Sequence, residues 1–256
     1  MGGKPDGKTE EYLLNKIKKK EKMVFAVIDP IDYDSPEHAI KTAIAAAEGG
    51  AAAVVVGGSI GVQGEILDHV VKSIKEKVKS TPVILFPGNI ATLSRHADAV
   101  YYMSLLNSRN PYWISQAQVL AAPVVRRTGI EPLSVAYLVV EPGGTVGWVG
   151  DANLIPRDKP KFAVALAMAA EYMGFHFILM DAGSASDKGP ITPEMIGAVK
   201  KSISLPLIVA GGIRSVQEAV AACRAGADII HVGTILEKSK DPKTAMKEIV
   251  AAINKK

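Results

Sequence analysis

A segment near the carboxyl end of the chain constrains the fold more than any other feature of the sequence. It contains two largely apolar runs, Leu205–Ala210 and Ala227–Val232, joined by a helical stretch, Ser215–Arg224. The first run ends at Gly211–Gly212 and the second at Gly233–Thr234. Two apolar strands joined by one helix are typical of a parallel βαβ unit that is buried on both faces. The segment therefore predicts an α/β protein built on a parallel sheet.

The glycines at both strand ends indicate a binding site for an anion. Glycine leaves backbone N–H groups uncovered, so Gly211, Gly212, Gly233 and Thr234 can cradle a phosphate. In a (β/α)8 barrel the loops after strands 7 and 8 form the recurrent phosphate site. The chain has 256 residues, of which 48% are apolar and 22% charged, and this suits one such barrel with a buried sheet. We therefore predict a single (β/α)8 TIM-barrel domain over residues 1–256.

The rest of the chain supplies the other elements in the expected order. The pattern predicts an extra N-terminal helix, Thr9–Lys22, after a flexible tail at residues 1–8. The helix after strand 3, Ile90–His96, is too short for a barrel helix, so helix 3 is expected to be shortened or irregular. The long segment Glu141–Lys159 is expected to be a functional lid. The six earlier strands are predicted at Met23–Ile28, Ala52–Val56, Pro82–Phe86, Asp98–Met103, Leu133–Val140 and Phe175–Met180.

Charge and cysteine content exclude several classes of function. The net charge is +4, and the densest basic run, Lys16–Lys22, is interpreted as a solvated helix face. No aromatic residues are interleaved with these lysines, so nucleic-acid binding is not predicted. The lone Cys223 excludes a disulfide framework. Neither a signal peptide nor an apolar run of membrane-spanning length is present, and we expect a soluble, cytoplasmic protein.

A carboxylate at the end of strand 1 points to a metal. Asp29 follows an apolar strand, where a carboxylate is costly unless it is paired or bound to a metal. Ser59 follows the neighbouring strand 2 and offers a hydroxyl oxygen. A carboxylate, a hydroxyl, substrate phosphates and waters are the ligands that Mg²⁺ prefers, so Asp29 and Ser59 are candidate metal ligands. The alternative is that Asp29 only caps the turn before Pro30.

A second carboxylate, Asp181, ends strand 6 beside the predicted phosphate loops. It is a candidate general base for a hydroxyl of the phosphorylated substrate, or a group that fixes this hydroxyl by hydrogen bonds. The small residues Ala182–Ser184 next to it leave room and supply donors. The alternative is an aspartate that only forms the turn.

Several motifs then occur in a characteristic order. The most specific are Met103–Trp113 and Val140–Gly150, and the others are Ile28–Pro30, Gly57–Ser59, Phe86–Gly88, Ile155–Arg157, Asp181–Ser184, Gly211–Arg214 and Gly233–Thr234. The set resembles geranylgeranylglyceryl phosphate synthase, the (β/α)8 prenyltransferase family of archaeal ether-lipid synthesis, and more closely its second subgroup. The resemblance covers about residues 20–255.

The resemblance implies a role for each matching position. Asp29 and Ser59 match the family's Mg²⁺-binding positions, and the glycine pairs after strands 7 and 8 match its phosphate-binding backbone. The family usually has Tyr-Leu-Glu before Ala-Gly-Ser on strand 6. In this chain Leu179 removes the tyrosine hydroxyl, and Asp181 is one methylene shorter than glutamate. The segment that holds sn-glycerol 1-phosphate corresponds to Leu179, Met180, Asp181, Ala182, Gly183, Ser184 and Ala185.

Residues and resemblance together predict prenyl transfer. The diphosphate of geranylgeranyl diphosphate is expected to bind Mg²⁺ at the metal position, while Asp181 orients or deprotonates the 3-hydroxyl of sn-glycerol 1-phosphate. A groove beside the short helix 3, lined by Tyr101, Tyr102 and Leu105, is expected to hold the prenyl chain. Because the family forms dimers or hexamers, a homo-oligomer is expected, with transient contact to a membrane surface when product is released.

Two other classes remain open from the residues. An isomerase or aldolase of a phosphorylated sugar uses the same phosphate loops, but it often needs a lysine at a strand end, and no predicted strand contains one. A phosphate-binding barrel without activity is the third reading. It leaves Asp29 and Asp181 without a shared purpose.

Overall fold

The computed structural model describes residues 7–58, 60–184 and 188–255, which form a closed barrel of eight strands. Each strand is parallel to its neighbours in chain order, and β8 closes on β1. The (β/α)8 prediction is confirmed, and no strand end departs from its predicted position by more than two residues. The strands are β1 Met23–Ile28, β2 Ala53–Val56, β3 Val83–Leu85, β4 Ala99–Leu105, β5 Glu131–Val139, β6 Phe177–Asp181, β7 Leu207–Ala210 and β8 Ile229–Val232.

Helices cover the outside of the barrel, and several of them begin at a side-chain cap. The side chains of Ser35, Thr192 and Ser215 accept hydrogen bonds from the third residue of the helix that each precedes. The helices are α1 Lys8–Lys18, α2 Pro36–Glu48, α3 Gly64–Lys77, α4 Ala117–Thr128, α5 Gly144–Val149, α6 Pro160–Tyr172, α7 Pro193–Ser202, α8 Val216–Ala225, α9 Thr234–Glu237 and α10 Pro242–Ile253. A 3-10 turn, Pro30–Asp32, follows β1, and a π-helical turn, Tyr112–Gln116, leads into α4.

The helix expected between β3 and β4 is absent. The residues predicted to form it, Ile90–His96, lie in turns, and in the described part of the chain no helix connects these two strands. Asn89 turns the chain here, because its side-chain oxygen accepts the backbone N–H of Ala91 at 2.8 Å. The prediction that the connection after β3 is irregular is confirmed, but the prediction of a short helix at Ile90–His96 is wrong. The outer face of β4 is left open at this position.

The N-terminal helix closes the bottom of the barrel. The predicted Thr9–Lys22 begins one residue earlier and ends at Lys18, so Lys8 lies in α1 rather than in a tail, and residues 1–6 lie outside the described residues. Leu13 of α1 is fully buried among the inward-facing side chains. The carboxylate of Glu131 accepts the N–H groups of Thr9 and Glu10 at 2.7 and 2.9 Å. A carboxylate at a helix N-terminus is favourable, so this pair fixes α1 across the barrel.

The barrel interior separates into an apolar floor and a polar mouth. Inward-facing positions on β5 carry Leu133, Val135 and Tyr137, and those on β6 carry Phe177 and Leu179 before Asp181. The layers below the mouth are filled by large apolar and aromatic side chains, as in other barrels of this type. The carboxylates of Asp29 and Asp181 and the glycines after β7 and β8 lie where the strands end, which places the candidate site at the carboxyl-terminal face. Over the described residues, no helix combines the length and the hydropathy that crossing a bilayer requires.

Candidate active site

Asp181 lies buried at the end of β6 with both carboxylate oxygens occupied. Its Oδ2 accepts the hydroxyl of Tyr137 at 2.7 Å, and its Oδ1 accepts the backbone N–H of Gly183 at 2.7 Å. Burial raises the pKa of Asp181, and these two hydrogen bonds oppose the rise. The carboxylate is therefore held in one orientation, beside the glycine-lined end of β7.

Tyr137 lines the candidate site, although the sequence analysis did not predict it. The strand register pairs Tyr137 of β5 with Leu179 of β6. Tyr137 therefore brings a phenol hydroxyl to the strand position beside Leu179. Burial raises the pKa of Tyr137, as does the Asp181 carboxylate, so the phenol stays protonated and donates. The available signal was a polar side chain at an inward position near the carboxyl end of β5.

The glycines after β7 and β8 meet Asp181 in one cavity. Gly211, Gly212, Gly233 and Thr234 all line it, together with Ser184. Gly211 has φ +84°, and a Cβ there would lie 2.6 Å from Asp181 Oδ1 and 2.8 Å from the N of Gly183. Only glycine allows this approach, so the backbone of the β7 loop lies directly against the buried carboxylate. Ala185, which the resemblance places in the same segment, lies outside the described residues.

Asp29 has a buried oxygen that nothing in the described part of the chain satisfies. Its Oδ1 lies without a hydrogen-bond partner at the end of β1. Burial, then the neighbouring carboxylates of Asp32 and Glu237, raises its pKa to about 7, against the opposing backbone N–H of Ile31. The alternative reading, that Asp29 only caps its own turn, does not account for the orphaned Oδ1.

This environment fits a bound cation. A divalent ion would satisfy the orphaned Oδ1 and offset the carboxylates that surround it. The loop after β2 comes close to this oxygen, since a Cβ on Gly58 would lie 2.8 Å away. The next residue, Ser59, lies outside the described residues, so its part as a ligand stays a prediction. Among the described residues no group of three or more His, Cys, Asp or Glu side chains is suited to hold a metal.

The pKa of Asp29 leads to a test of stability. Because the folded protein holds this proton more tightly than the unfolded chain, stability falls as the pH rises from the ordinary pKa of 3.8 to about 7. Asp29→Asn removes the titration. Without divalent ions the variant should therefore melt at a higher temperature than the wild type at about pH 8 and at a similar one at about pH 4. Differential scanning calorimetry in EDTA measures the Tm of both proteins at both pH values. A lower Tm for Asp29→Asn than for the wild type at the higher pH would contradict a buried, unpaired carboxylate.

A groove opens from the cavity where the helix after β3 is missing. Ile90 and Leu93 line one side, Val100 and Tyr102 on the outer face of β4 form the base, and Ala117, Gln118, Ala121 and Val125 of α4 line the other side. The hydroxyl of Tyr102 donates to the carbonyl oxygen of Gln118, so the ring is fixed along the groove. The loss of one barrel helix thus connects the polar mouth to an apolar channel.

The three residues predicted for a prenyl groove line the same cavity but lie on two sides of β4. Tyr102 faces the groove, whereas Tyr101 points into the barrel, where its hydroxyl lies 2.9 Å from Nε2 of His231. Burial lowers the pKa of His231 to about 3, so this ring is neutral. Leu105 is also on the inner side and packs at the mouth against Gly150, whose absent Cβ would clash with it. Tyr101 therefore forms the floor of the cavity.

The predicted lid is hydrogen-bonded along much of its length. It contains α5, and Gly143 N donates to the carbonyl of Ala182 at 3.1 Å. The side chain of Asn107 accepts the N–H of Val139 and donates to the carbonyls of Val139 and Asn153. The hydroxyl of Ser108 donates to the carbonyl oxygen of Gly150 at 2.6 Å, which joins the two most specific sequence motifs. The segment forms a wall of the cavity.

The fold and this cavity define a (β/α)8 barrel with a candidate phosphate cradle beside an apolar channel. Comparisons with known proteins identify the family. The sequence matches the PcrB family over residues 15–253, and the chain belongs to this family. It is 51% identical over 243 residues to the geranylgeranylglyceryl phosphate synthase of Thermococcus kodakarensis, covering 95% of each chain. It is also 51% identical over 254 residues to that of Pyrococcus horikoshii, covering 99% of this chain and 98% of the relative.

Solved structures agree with the sequence comparison. The (S)-3-O-geranylgeranylglyceryl phosphate synthase of Thermoplasma acidophilum, in complex with its substrate sn-glycerol-1-phosphate, superposes with a TM-score of 0.90 at 38% identity, covering 96% of this chain and 97% of the other. The enzyme from Thermoplasma volcanium gives a TM-score of 0.88 at 41% identity, covering 94% and 96%. The family resemblance inferred from the motifs is confirmed.

Proposed function

We propose that the protein joins geranylgeranyl diphosphate to the 3-hydroxyl of sn-glycerol 1-phosphate and releases diphosphate, which forms the first ether bond of archaeal-type membrane lipids. The observation that carries this proposal is the contact between the Asp181 carboxylate and Gly211 of the phosphate cradle. This supports the proposal because a three-carbon polyol phosphate requires a group for a hydroxyl beside a site for a phosphate. The apolar groove opens into the same cavity and suits a prenyl donor.

The acceptor is held and oriented by groups already in place. Backbone N–H groups of Gly211–Gly212 and Gly233–Thr234 bind its phosphate. Asp181, fixed by Tyr137, accepts a hydrogen bond from the 3-hydroxyl and takes its proton as the hydroxyl oxygen attacks C1 of the donor. A preorganised carboxylate needs no reorientation when charge develops, which lowers the barrier to the reaction.

The donor occupies the groove and the β1 side of the mouth. Its chain lies between the loop after β3 and α4, where apolar walls exclude water from the allylic carbon. Asp29, with Ser59 as a further predicted ligand, would hold Mg²⁺ near the diphosphate. When bound, the ion supplies charge stabilisation for the leaving diphosphate. Homo-oligomer formation and transient membrane contact remain predictions.

Chain-length preference tests the function directly. Purified protein is incubated with radiolabelled sn-glycerol 1-phosphate, Mg²⁺ and either the C20 or the C10 diphosphate. We expect a higher kcat/KM for the C20 donor, because each further buried methylene in the groove contributes about 0.8 kcal/mol. Equal kcat/KM values would contradict an apolar groove. Isomerisation of a sugar phosphate without prenyl transfer would favour the isomerase class instead.

A further inference from the structure

We propose that Arg157 is a positioning residue for the acceptor phosphate site. Its side chain lies between the wall that follows β5 and the loop that precedes α7. Nη2 donates to the carbonyl oxygen of Pro190 at 2.5 Å, and Nη1 lies 3.4 Å from that of Gly189 and 3.2 Å from that of Glu141. One guanidinium therefore contacts two consecutive carbonyls of the loop and one of the wall.

The peptide that Arg157 holds is the support of the phosphate cradle. Gly212 has φ +75°, and a Cβ there would lie 2.6 Å from the carbonyl carbon of Gly189, 2.7 Å from its oxygen and 2.8 Å from the N of Pro190. The Gly189–Pro190 peptide thus lies directly against the backbone of the β7 loop. Any movement of this peptide moves the surface on which Gly212 rests, and with it the N–H directions that face the phosphate.

The loop is anchored at this contact and after it. Beyond Pro190, Ile191 is buried and Thr192 caps α7 by accepting the N–H of Met195 at 3.3 Å. Before the cap, the carbonyls of Gly189 and Pro190 are fixed by the planar fork of the guanidinium. An ammonium is a point donor on a flexible stem and cannot hold consecutive carbonyls in one plane. Holding both carbonyls therefore requires the guanidinium of an arginine, and a positive charge alone is not sufficient.

The test measures affinity for inorganic phosphate and for sn-glycerol 1-phosphate by calorimetry. Arg157→Lys and Arg157→Gln should both weaken binding by about tenfold, the loss expected for one hydrogen bond to a charged group. In the transfer assay KM for the acceptor should rise by a similar factor, while kcat and KM for the prenyl donor stay near wild type. Arg109→Gln is the matched control. Arg109 contacts the same wall through Asn153 at 3.3 Å, away from the phosphate loops, and its variant should bind phosphate as the wild type does.

Three results would overturn the proposal. Unchanged phosphate affinity in both Arg157 variants would exclude any role at the cradle. Wild-type affinity in Arg157→Lys with loss in Arg157→Gln would assign the effect to charge rather than to positioning. A joint fall of kcat and of both affinities with a lower Tm would show a purely structural role. The inference rests on the proposed function, but phosphate binding is measured without turnover. If the wild type binds phosphate but does not alkylate sn-glycerol 1-phosphate, the proposed function is refuted. The phosphate affinities of the Arg157 variants and the wild type can still be compared.

Discussion

Asp29→Asn is expected to reduce kcat by about 10²- to 10³-fold, the range found when one electrostatic group is removed from an active site. The substitution keeps the shape of the side chain but removes the charge that would offset Mg²⁺ near the leaving diphosphate. The affinity for Mg²⁺ should fall in parallel, and excess Mg²⁺ should partly restore activity. Initial rates over a Mg²⁺ titration at saturating prenyl donor measure the first effect, and calorimetric Mg²⁺ binding measures the second.

Asp34→Asn provides the matched control for this prediction. Asp34 lies in the same loop after β1, but its side chain is 97% exposed and only approaches His38. The same chemical change at this position should leave both kcat and the Mg²⁺ requirement near the wild-type values. Equal losses in the two variants would mean that general loop charge, rather than the buried carboxylate, controls activity.

Asp181→Asn is expected to reduce kcat by about 10²-fold, at the low end of the range for general acid–base groups. The amide can still accept the N–H of Gly183, but it cannot take the proton of the acceptor hydroxyl. The loss should be smaller than that for Asp29, because proton removal comes late when the attacked carbon already carries positive charge. The Mg²⁺ dependence should not change. Stopped-time assays at saturating concentrations of both substrates measure the effect.

Asp181→Glu keeps the carboxylate but lengthens the side chain by one methylene, so it tests whether activity depends on the exact position of the carboxylate. It restores the residue that the family usually carries at this position, and it should keep substantial activity. Tyr137→Phe is the companion variant, since it leaves Asp181 with only the Gly183 hydrogen bond and frees Oδ2. A change in the Mg²⁺ requirement of Asp181→Asn without one in Asp29→Asn would reverse the two assigned roles.

Local patterns in the sequence determined the fold class and the position of the mouth. The apolar runs that end at Gly211 and Gly233 predicted a parallel barrel, because buried strands joined by a helix have few other arrangements. The caps at Ser35, Thr192 and Ser215 also depend on local sequence, since each bond spans three residues. Asp29 and Asp181 were predicted as site residues because a carboxylate at the end of an apolar strand is costly unless it is paired or bound to a metal.

Contacts between distant segments were decided only by the tertiary structure. Tyr137 reaches Asp181 across 44 positions in sequence because the register of β5 against β6 sets its partner. Arg157 reaches Pro190 across 33 positions, and no local pattern marks a side chain that donates to backbone carbonyls. The helix predicted at Ile90–His96 failed because a turn centred on Asn89 outweighs a weak helical preference in so short a segment. Spacing along the chain encodes local hydrogen bonds and strand burial, whereas strand register and loop docking depend on the packing of the whole barrel.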